Sequence, residues 1–314
     1  MKKDYVGQWF EIYRRNTEGA DILYKVEANG KSELINFAHE KVDGAGGLFK
    51  LAEQFNWKIK NLATPTPPRA ISRFKFFINC LMFLHWTKPR KKNIWPFEFK
   101  KSNTVEGIYE SCTFNAEETQ KLKDKANVLG ISLNTLLFFS LNKSLEKQFN
   151  WTSGKRSWWV PVNMRNDLGI DINDSKFSGN YVSNFMIDLS PSMSSLQYQQ
   201  AITHSLKQQK HLATWWWQHL GKYVPESVVE FLALSNLKNN HCVGAFSNLG
   251  EWSCDQSDAN VSFFVPTLLS HPIGASALIW NKKLNIGIRI YPTFKLNPDE
   301  LNSVLQKWTQ QLVL

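Results

Sequence analysis

The chain has 314 residues, of which 43% are hydrophobic, 13% aromatic and 20% charged, a balance that excludes disorder, collagen-like repeats and coiled coil. That length gives room for one large domain or two subdomains sharing a core. Lys and Arg number 37 against 27 Asp and Glu, and the net charge of +10 favours anionic partners: nucleic acid, anionic lipid, phosphorylated cofactors or acidic proteins.

From the N-terminus, Met1 to Asn16 mixes Asp4, Gln8, Glu11, Arg14 and Arg15 into its apolar residues, so no signal-peptide core can be drawn. Two apolar-alternating runs, Ile22 to Val26 and Glu33 to His39, flank Asn29-Gly30, the signal of a hairpin closed by a two-residue type I′ turn. Leu48, Leu51, Ala52 and Phe55 recur at helical spacing, which predicts a helix beginning shortly after Gly44. Asn61 to Arg69 carries three prolines and reads as a linker.

Beyond it, Phe74 to Trp86 is apolar almost all round and too short to cross a bilayer; a buried helix, a membrane-surface helix and a docking face for an acidic partner all fit it. Between Arg69 and Lys101 nine basic residues (Arg69, Arg73, Lys75, Lys88, Arg90, Lys91, Lys92, Lys100 and Lys101) meet one acidic residue, Glu98, which accounts for +8 of the +10. The remainder is nearly neutral, so a protein coated in positive charge to wrap nucleic acid is excluded.

Thr113 to Ser144 predicts two helices, with Asn115 and Glu118 as a capping box, Gly130 as a stop and Ser132 or Leu133 as the second start. Trp158 to Asn163 and Asn180 to Leu189 read as strands, and Pro191 to Leu220 as helix. Within it, Trp215, Trp216 and Trp217 face different directions, part core and part surface. Val261 to Val265, Ala275 to Trp280 and Leu284 to Tyr291 read as strands, the last two a hairpin through Asn281, Lys282 and Lys283. Asn297 as N-cap, Pro298 at the first position and Glu300 at the third open a terminal helix with Leu301, Val304, Leu305, Trp308 and Leu312 on one face. Strands and helices mix throughout, which predicts α/β or α+β class with mixed sheets.

The four cysteines, Cys80, Cys112, Cys242 and Cys254, form no CxxC pair, so neither a disulfide framework nor a zinc site is expected; a reducing, cytoplasmic setting fits. No run approaches 18 uncharged apolar residues, which argues against a spanning helix. His85, His204, His211, His219, His241 and His271 have no ligand spacing and read as ordinary.

The informative residues are His39 to Gly44, an HxxxDG pattern between a predicted strand and a predicted helix. At a strand-to-loop edge a histidine faces a cleft while a nearby carboxylate turns inward, and Gly44 permits the tight reversal. Histidine has the unperturbed pKa closest to neutrality, which suits a general base for an alcohol or amine attacking an acyl group. By itself a histidine at a strand end is more often structural.

Together with WWVPVNMR (158–165), SGNYVSN (178–184) and FSNLGEW (246–252) in the same order, it makes the chain resemble the CoA-dependent acyltransferase superfamily. That superfamily includes chloramphenicol acetyltransferase, peptide-synthetase condensation domains, wax ester synthases, polyketide-associated acyltransferases and plant alcohol acyltransferases. The likeness runs from about Glu33 to the C-terminus. It implies a chloramphenicol acetyltransferase-like fold of two related subdomains with mixed sheets, meeting at a tunnel with His39 midway as base. Asp43 would be a structural orienter paired with Arg165 in a buried salt bridge. Ser247 or Asn248, or the Gly250 backbone, would hold the oxyanion; for FSNLG a plain turn between strands stays open. Gly44, Gly179 and Asn180 would shape the tunnel or touch substrate.

The resemblance needs no metal and no bound cofactor; acyl-CoA or an acyl carrier protein would be the co-substrate. Only 38 residues precede the motif, fewer than is usual in the superfamily. The expected organisation is therefore a reduced N-terminal subdomain over 1–62, a linker and basic aromatic segment over 63–104, and an acyltransferase-like subdomain over 105–314. The shortened half would be left open, covered by Phe74 to Trp86, or completed by a second copy. The function implied is acyl transfer from a thioester to a hydroxyl or amine, with a condensation-type amide-forming enzyme or a non-catalytic docking descendant as alternatives. Segment 73–101 would meet the phosphates of CoA, the acidic face of a carrier protein or a membrane surface, and nucleic acid is not expected.

Overall fold

The computed structural model of the chain describes residues 4–17, 19–62, 78, 81, 108–174, 176–238, 242–255, 258–292 and 297–313. Apart from Ile78 and Leu81, the expected basic aromatic segment and its contacts through 73–101 lie outside the described residues. In chain order the elements are α1 (Tyr5–Asn16), β1 (Ile22–Ala28), β2 (Lys31–Phe37), α2 (Gly44–Gln54), β3 (Ile59–Asn61), β4 (Ile108–Phe114), α3 (Ala116–Val128), α4 (Leu133–Phe149), β5 (Arg156–Asn163), α5 (Arg165–Leu168), β6 (Val182–Leu189), α6 (Ser195–Lys207), α7 (Lys210–Gln218), α8 (Glu226–Lys238), β7 (Gly244–Cys254), β8 (Asn260–Phe264), β9 (Ile273–Trp280), β10 (Lys283–Ile290) and α9 (Pro298–Val313).

Local chemistry explains most of these boundaries. Asn29 and Gly30 take φ of 51° and 72°, the left-handed pair of a type I′ turn, and Ala28 faces Lys31 across it. Asn281 and Lys282, at φ 47° and 68°, close the β9–β10 hairpin in the same way. Asn115 and Glu118 form the expected capping box, and Asn297 and Glu300 exchange the same pair of hydrogen bonds at the head of α9.

Seven strands form one sheet, ordered β4-β10-β9-β7-β5-β6 with β3 paired to β7; its β5–β7 and β7–β9 pairings are parallel and the others antiparallel. Strands β9 and β10 are buried along nearly their whole length, because both faces of this sheet are covered. On one face lie α4, α6 and α9, with Leu141, Tyr198 and Trp308 packed over Trp158 and Phe246. On the other, Trp252, Leu278 and Trp280 meet α2 through Leu48 and Leu51 and a three-stranded sheet, β2-β1-β8, through Tyr24, Val26 and Phe263. Both pairings in this small sheet are antiparallel.

Several sequence readings need correction. Thr113 and Phe114 end strand β4 rather than open a helix. Pro191 to Leu220 is not one helix: Gln209 at φ 57° breaks it into α6 and α7, and a short 3-10 turn follows over His219–Lys222. The three tryptophans divide as expected, Trp215 buried and Trp216 exposed. FSNLG is no connecting turn; it lies inside β7, whose register against β9 shifts between Asn248 and Glu251. Among the described residues no single helix is long and apolar enough to cross a membrane.

Candidate active site

β2 pairs its last residue, Phe37, with Ile22, and the chain then turns through Ala38 to His39, with Lys41 and Val42 donating their amides back to the Ala38 carbonyl. The His39 ring places Nδ1 2.8 Å from the Val42 carbonyl oxygen. A carbonyl can only accept, so Nδ1 carries the hydrogen and Nε2 keeps its lone pair, the tautomer a general base requires. Phe10 of α1 lies against the imidazole, ring centroids 3.9 Å apart. Burial pushes the His39 pKa below its ordinary value, opposed in part by the Val42 hydrogen bond and the charges of Asp43 and Asp21. At neutral pH the ring is a free base.

Four residues on, Asp43 is buried and caps α2 by accepting the Gly46 amide at 2.8 Å. Its other partners come from far along the chain. Arg165 donates Nη1 to Oδ2 at 2.7 Å and Nη2 to Oδ1 at 3.0 Å, and the Tyr181 amide donates to Oδ2 at 2.6 Å. The guanidinium is itself 1% exposed and is occupied on every side: Nε and Nη2 reach the Phe177 carbonyl, Nη2 also the Gly179 carbonyl, and Nη1 the Asn163 side chain. The rings of Phe177 and Tyr181 cover its faces. The pair leaves neither charge without a partner and ties the loop after His39 to the start of α5 and to residues 177–181.

Gly179 and Asn180 belong to this scaffold. Asn180 donates its side-chain amide to the His39 carbonyl at 2.5 Å. A Cβ on Gly46 would stand 2.6 Å from the Gly179 carbonyl oxygen and 2.7 Å from that of Ser178, so this close approach demands glycine. Gly46→Ala is expected to lower stability by about 1–3 kcal/mol, because the obstacle is backbone; an unchanged urea midpoint would contradict the packing. Gly44 lies under Leu249 and accepts the Tyr24 hydroxyl at its carbonyl. The same Leu249 brings the β7 irregularity, with half-buried Ser247 and Asn248, against the first turn of α2. There the Asn248 side chain accepts the Gly250 amide at 2.8 Å, and Gly250 takes φ 80°.

Other groups around His39 were not singled out in the sequence. Helix α1 supplies Phe10, and its Arg14 pairs with Glu40 at 2.8 Å and Asp21 at 3.5 Å. Its signal was present: Asp4 as N-cap, accepting the Val6 and Gly7 amides, then Val6, Trp9, Phe10 and Tyr13 at helical spacing. A surface groove of about 550 Å³, lined by Glu11, Arg14, Arg15, Glu40 and Lys41, opens beside the histidine loop. His271 approaches from the turn before β9; burial and then the His39 charge push its pKa down to about 4, and its Nδ1 is 3.1 Å from the Ser270 hydroxyl. No local pattern marked it. Among the described residues no group of three His, Cys, Asp or Glu side chains is placed to hold a metal ion.

No family model matches the chain, and no curated protein matches it. Solved structures do. Trichothecene 15-O-acetyltransferase from Fusarium sporotrichioides is 11% identical with a TM-score of 0.60, the match covering 100% of this chain and 75% of that one. The starter condensation domain of rhizomide synthetase, solved with C8-CoA and Leu-SNAC, is 11% identical with a TM-score of 0.54, over 90% of this chain and 65% of that one. The epimerization domain from the third module of tyrocidine synthetase B is 12% identical with a TM-score of 0.51, over 100% and 88%. At these identities the likeness is one of fold, and the chain has the fold of CoA-dependent acyltransferases and condensation domains.

Proposed function

We propose that the chain is an acyltransferase that moves an acyl group from a thioester, on CoA or on an acyl carrier protein, to a hydroxyl or amine, with His39 as general base. One observation carries this reading. The imidazole at the end of β2 is held as the Nδ1–H tautomer by the Val42 carbonyl and kept neutral by burial, on a loop locked by the Asp43–Arg165 pair. His219 shares the carbonyl contact and the burial-lowered pKa, and what sets His39 apart is the buried Asp43–Arg165 pair behind its loop and the Asn180 amide on its backbone.

In the proposed step His39 Nε2 takes the proton of the acceptor as its oxygen or nitrogen attacks the thioester carbonyl. The tetrahedral oxyanion collapses, the new C–O or C–N bond stays, the C–S bond breaks, and the imidazolium returns the proton to the departing thiolate. The protein itself forms no bond to the acyl group. Ser247 and Asn248, on the β7 irregularity beside α2, are the proposed oxyanion donors. Asn180 and Gly179 act by holding the backbone of His39 and the partner loop of Arg165.

Acyl-CoA species of increasing length, offered with a panel of alcohols and amines, test the proposal by thiol release. Release that depends on the acceptor is the expected result, and amine dependence in place of alcohol dependence would identify the condensation-type variant. Release no faster than buffer hydrolysis with CoA and with carrier-bound donors alike would leave a docking role for the same fold.

A further inference from the structure

The Val42 carbonyl fixes one nitrogen of His39 and the Asp43–Arg165 pair fixes its loop, but the plane of the ring is held from a different element. Phe10 sits against the imidazole with planes inclined by 39° and centroids 3.9 Å apart. It is itself gripped from two sides. One apolar cluster joins it to Ile12 and Tyr13 of α1, Val229 and Ala233 of α8, and Leu268; another joins it to Val6, Met164, Leu212 and Trp215.

From this geometry, and resting on the acyl-transfer reading above, we infer that Phe10 is a positioning residue for the catalytic base: it sets the plane of the His39 imidazole and shields one of its faces from water. Rotation of the ring about its Cβ–Cγ bond must displace an aromatic side chain that two clusters hold in place. The shield also has an electrostatic effect. The charged or titratable groups acting on His39 are Asp43 and Asp21, which favour its protonated form, and His271, whose own protonation is opposed by a charge on His39. Arg14 of α1 stands 3.5 Å from Asp21 and 2.8 Å from Glu40. Against the two carboxylates it is burial that keeps the ring neutral, and Phe10 contributes to that burial. Without it water reaches the ring, the carboxylates prevail, and the titration of His39 moves to higher pH.

The test uses the full chain with 15N-labelled histidine, wild type against Phe10→Ala and Phe10→Leu, with His39→Gln to assign the ring signals. In wild type the expected ring is the Nδ1–H tautomer, titrating below the ordinary histidine range. In Phe10→Ala the titration moves upward and the two tautomers mix; Phe10→Leu, which refills the clusters without a flat face, falls between. Where acceptor-dependent thiol release is measured, kcat of Phe10→Ala falls about tenfold and its acid limb shifts to higher pH, while KM stays within about twofold.

Unchanged titration and tautomer in both folded variants would overturn the inference even in an active enzyme. If Phe10→Ala loosens α1, seen as lost helicity, Phe10→Leu alone decides. A shifted titration in a chain without turnover would uphold the hold of Phe10 on the ring and overturn the acyl-transfer reading instead.

Discussion

His39→Ala is expected to remove acyl transfer almost completely, lowering kcat/KM by roughly 10²–10⁴-fold, the range in which a positioned general base contributes. The fold should survive. His39 is half-buried, and its ring lies against the Val42 carbonyl and Phe10, so removing it opens a small gap beside α1 rather than a hole in the main core. The wild-type profile should carry an acid limb set by the ring. Because burial lowers the His39 pKa, the fall in kcat/KM lies on the acid side of where an ordinary histidine would place it, as the imidazole takes its proton. Stopped thiol release with unchanged circular dichroism would support the assignment; equal rates in mutant and wild type would end it.

Breaking the Asp43–Arg165 pair should have the largest effect on stability. Asp43→Asn leaves a guanidinium that is 1% exposed without its counter-charge, and Arg165→Met strands the carboxylate, each at a cost of about 3–5 kcal/mol. The two changes made together should cost less than the sum of the single ones, since the double mutant buries no unpaired charge. Arg165→Lys should not rescue, because an ammonium cannot grip both carboxylate oxygens while also reaching the Phe177 and Gly179 carbonyls. Urea denaturation of the four variants gives the answer, and single mutants with wild-type midpoints would contradict the role assigned to Asp43. Activity should fall alongside, because the Tyr181 amide and the cap of α2 both depend on that carboxylate.

What could be read from the sequence follows physical range. The 22–37 hairpin and α9 were legible because their signals are local: Asn29-Gly30 demands positive φ, and Asn297, Pro298 and Glu300 sit at the N-cap, first and third positions of the helix. The break at Gln209 was not, because neither glycine nor proline marks it and the left-handed residue is an ordinary glutamine. In β7 the run Asn248-Leu249-Gly250 carries turn chemistry inside a strand, and only the neighbouring β9 shows that it is a bulge. The site divides in the same way. His39 and Asp43 share six residues and stood out by themselves; the pairing of Asp43 with Arg165, 122 residues away, came through the resemblance and not through any spacing rule. Phe10 meets the ring from α1 and His271 acts on it through charge from a late turn, and a one-dimensional pattern has no term for either.

Strand β8 lies over β9 and β10 of the large sheet but pairs with β1, Phe264 against Leu23, and so becomes the third strand of the hairpin that carries His39. During synthesis that hairpin emerges early and waits, its inner edge bare, until more than two hundred further residues have left the ribosome. A nascent chain stalled before residue 260 should therefore be a client of chaperones, with a histidine loop open to protease, and resistance should arrive abruptly once the late strand is released.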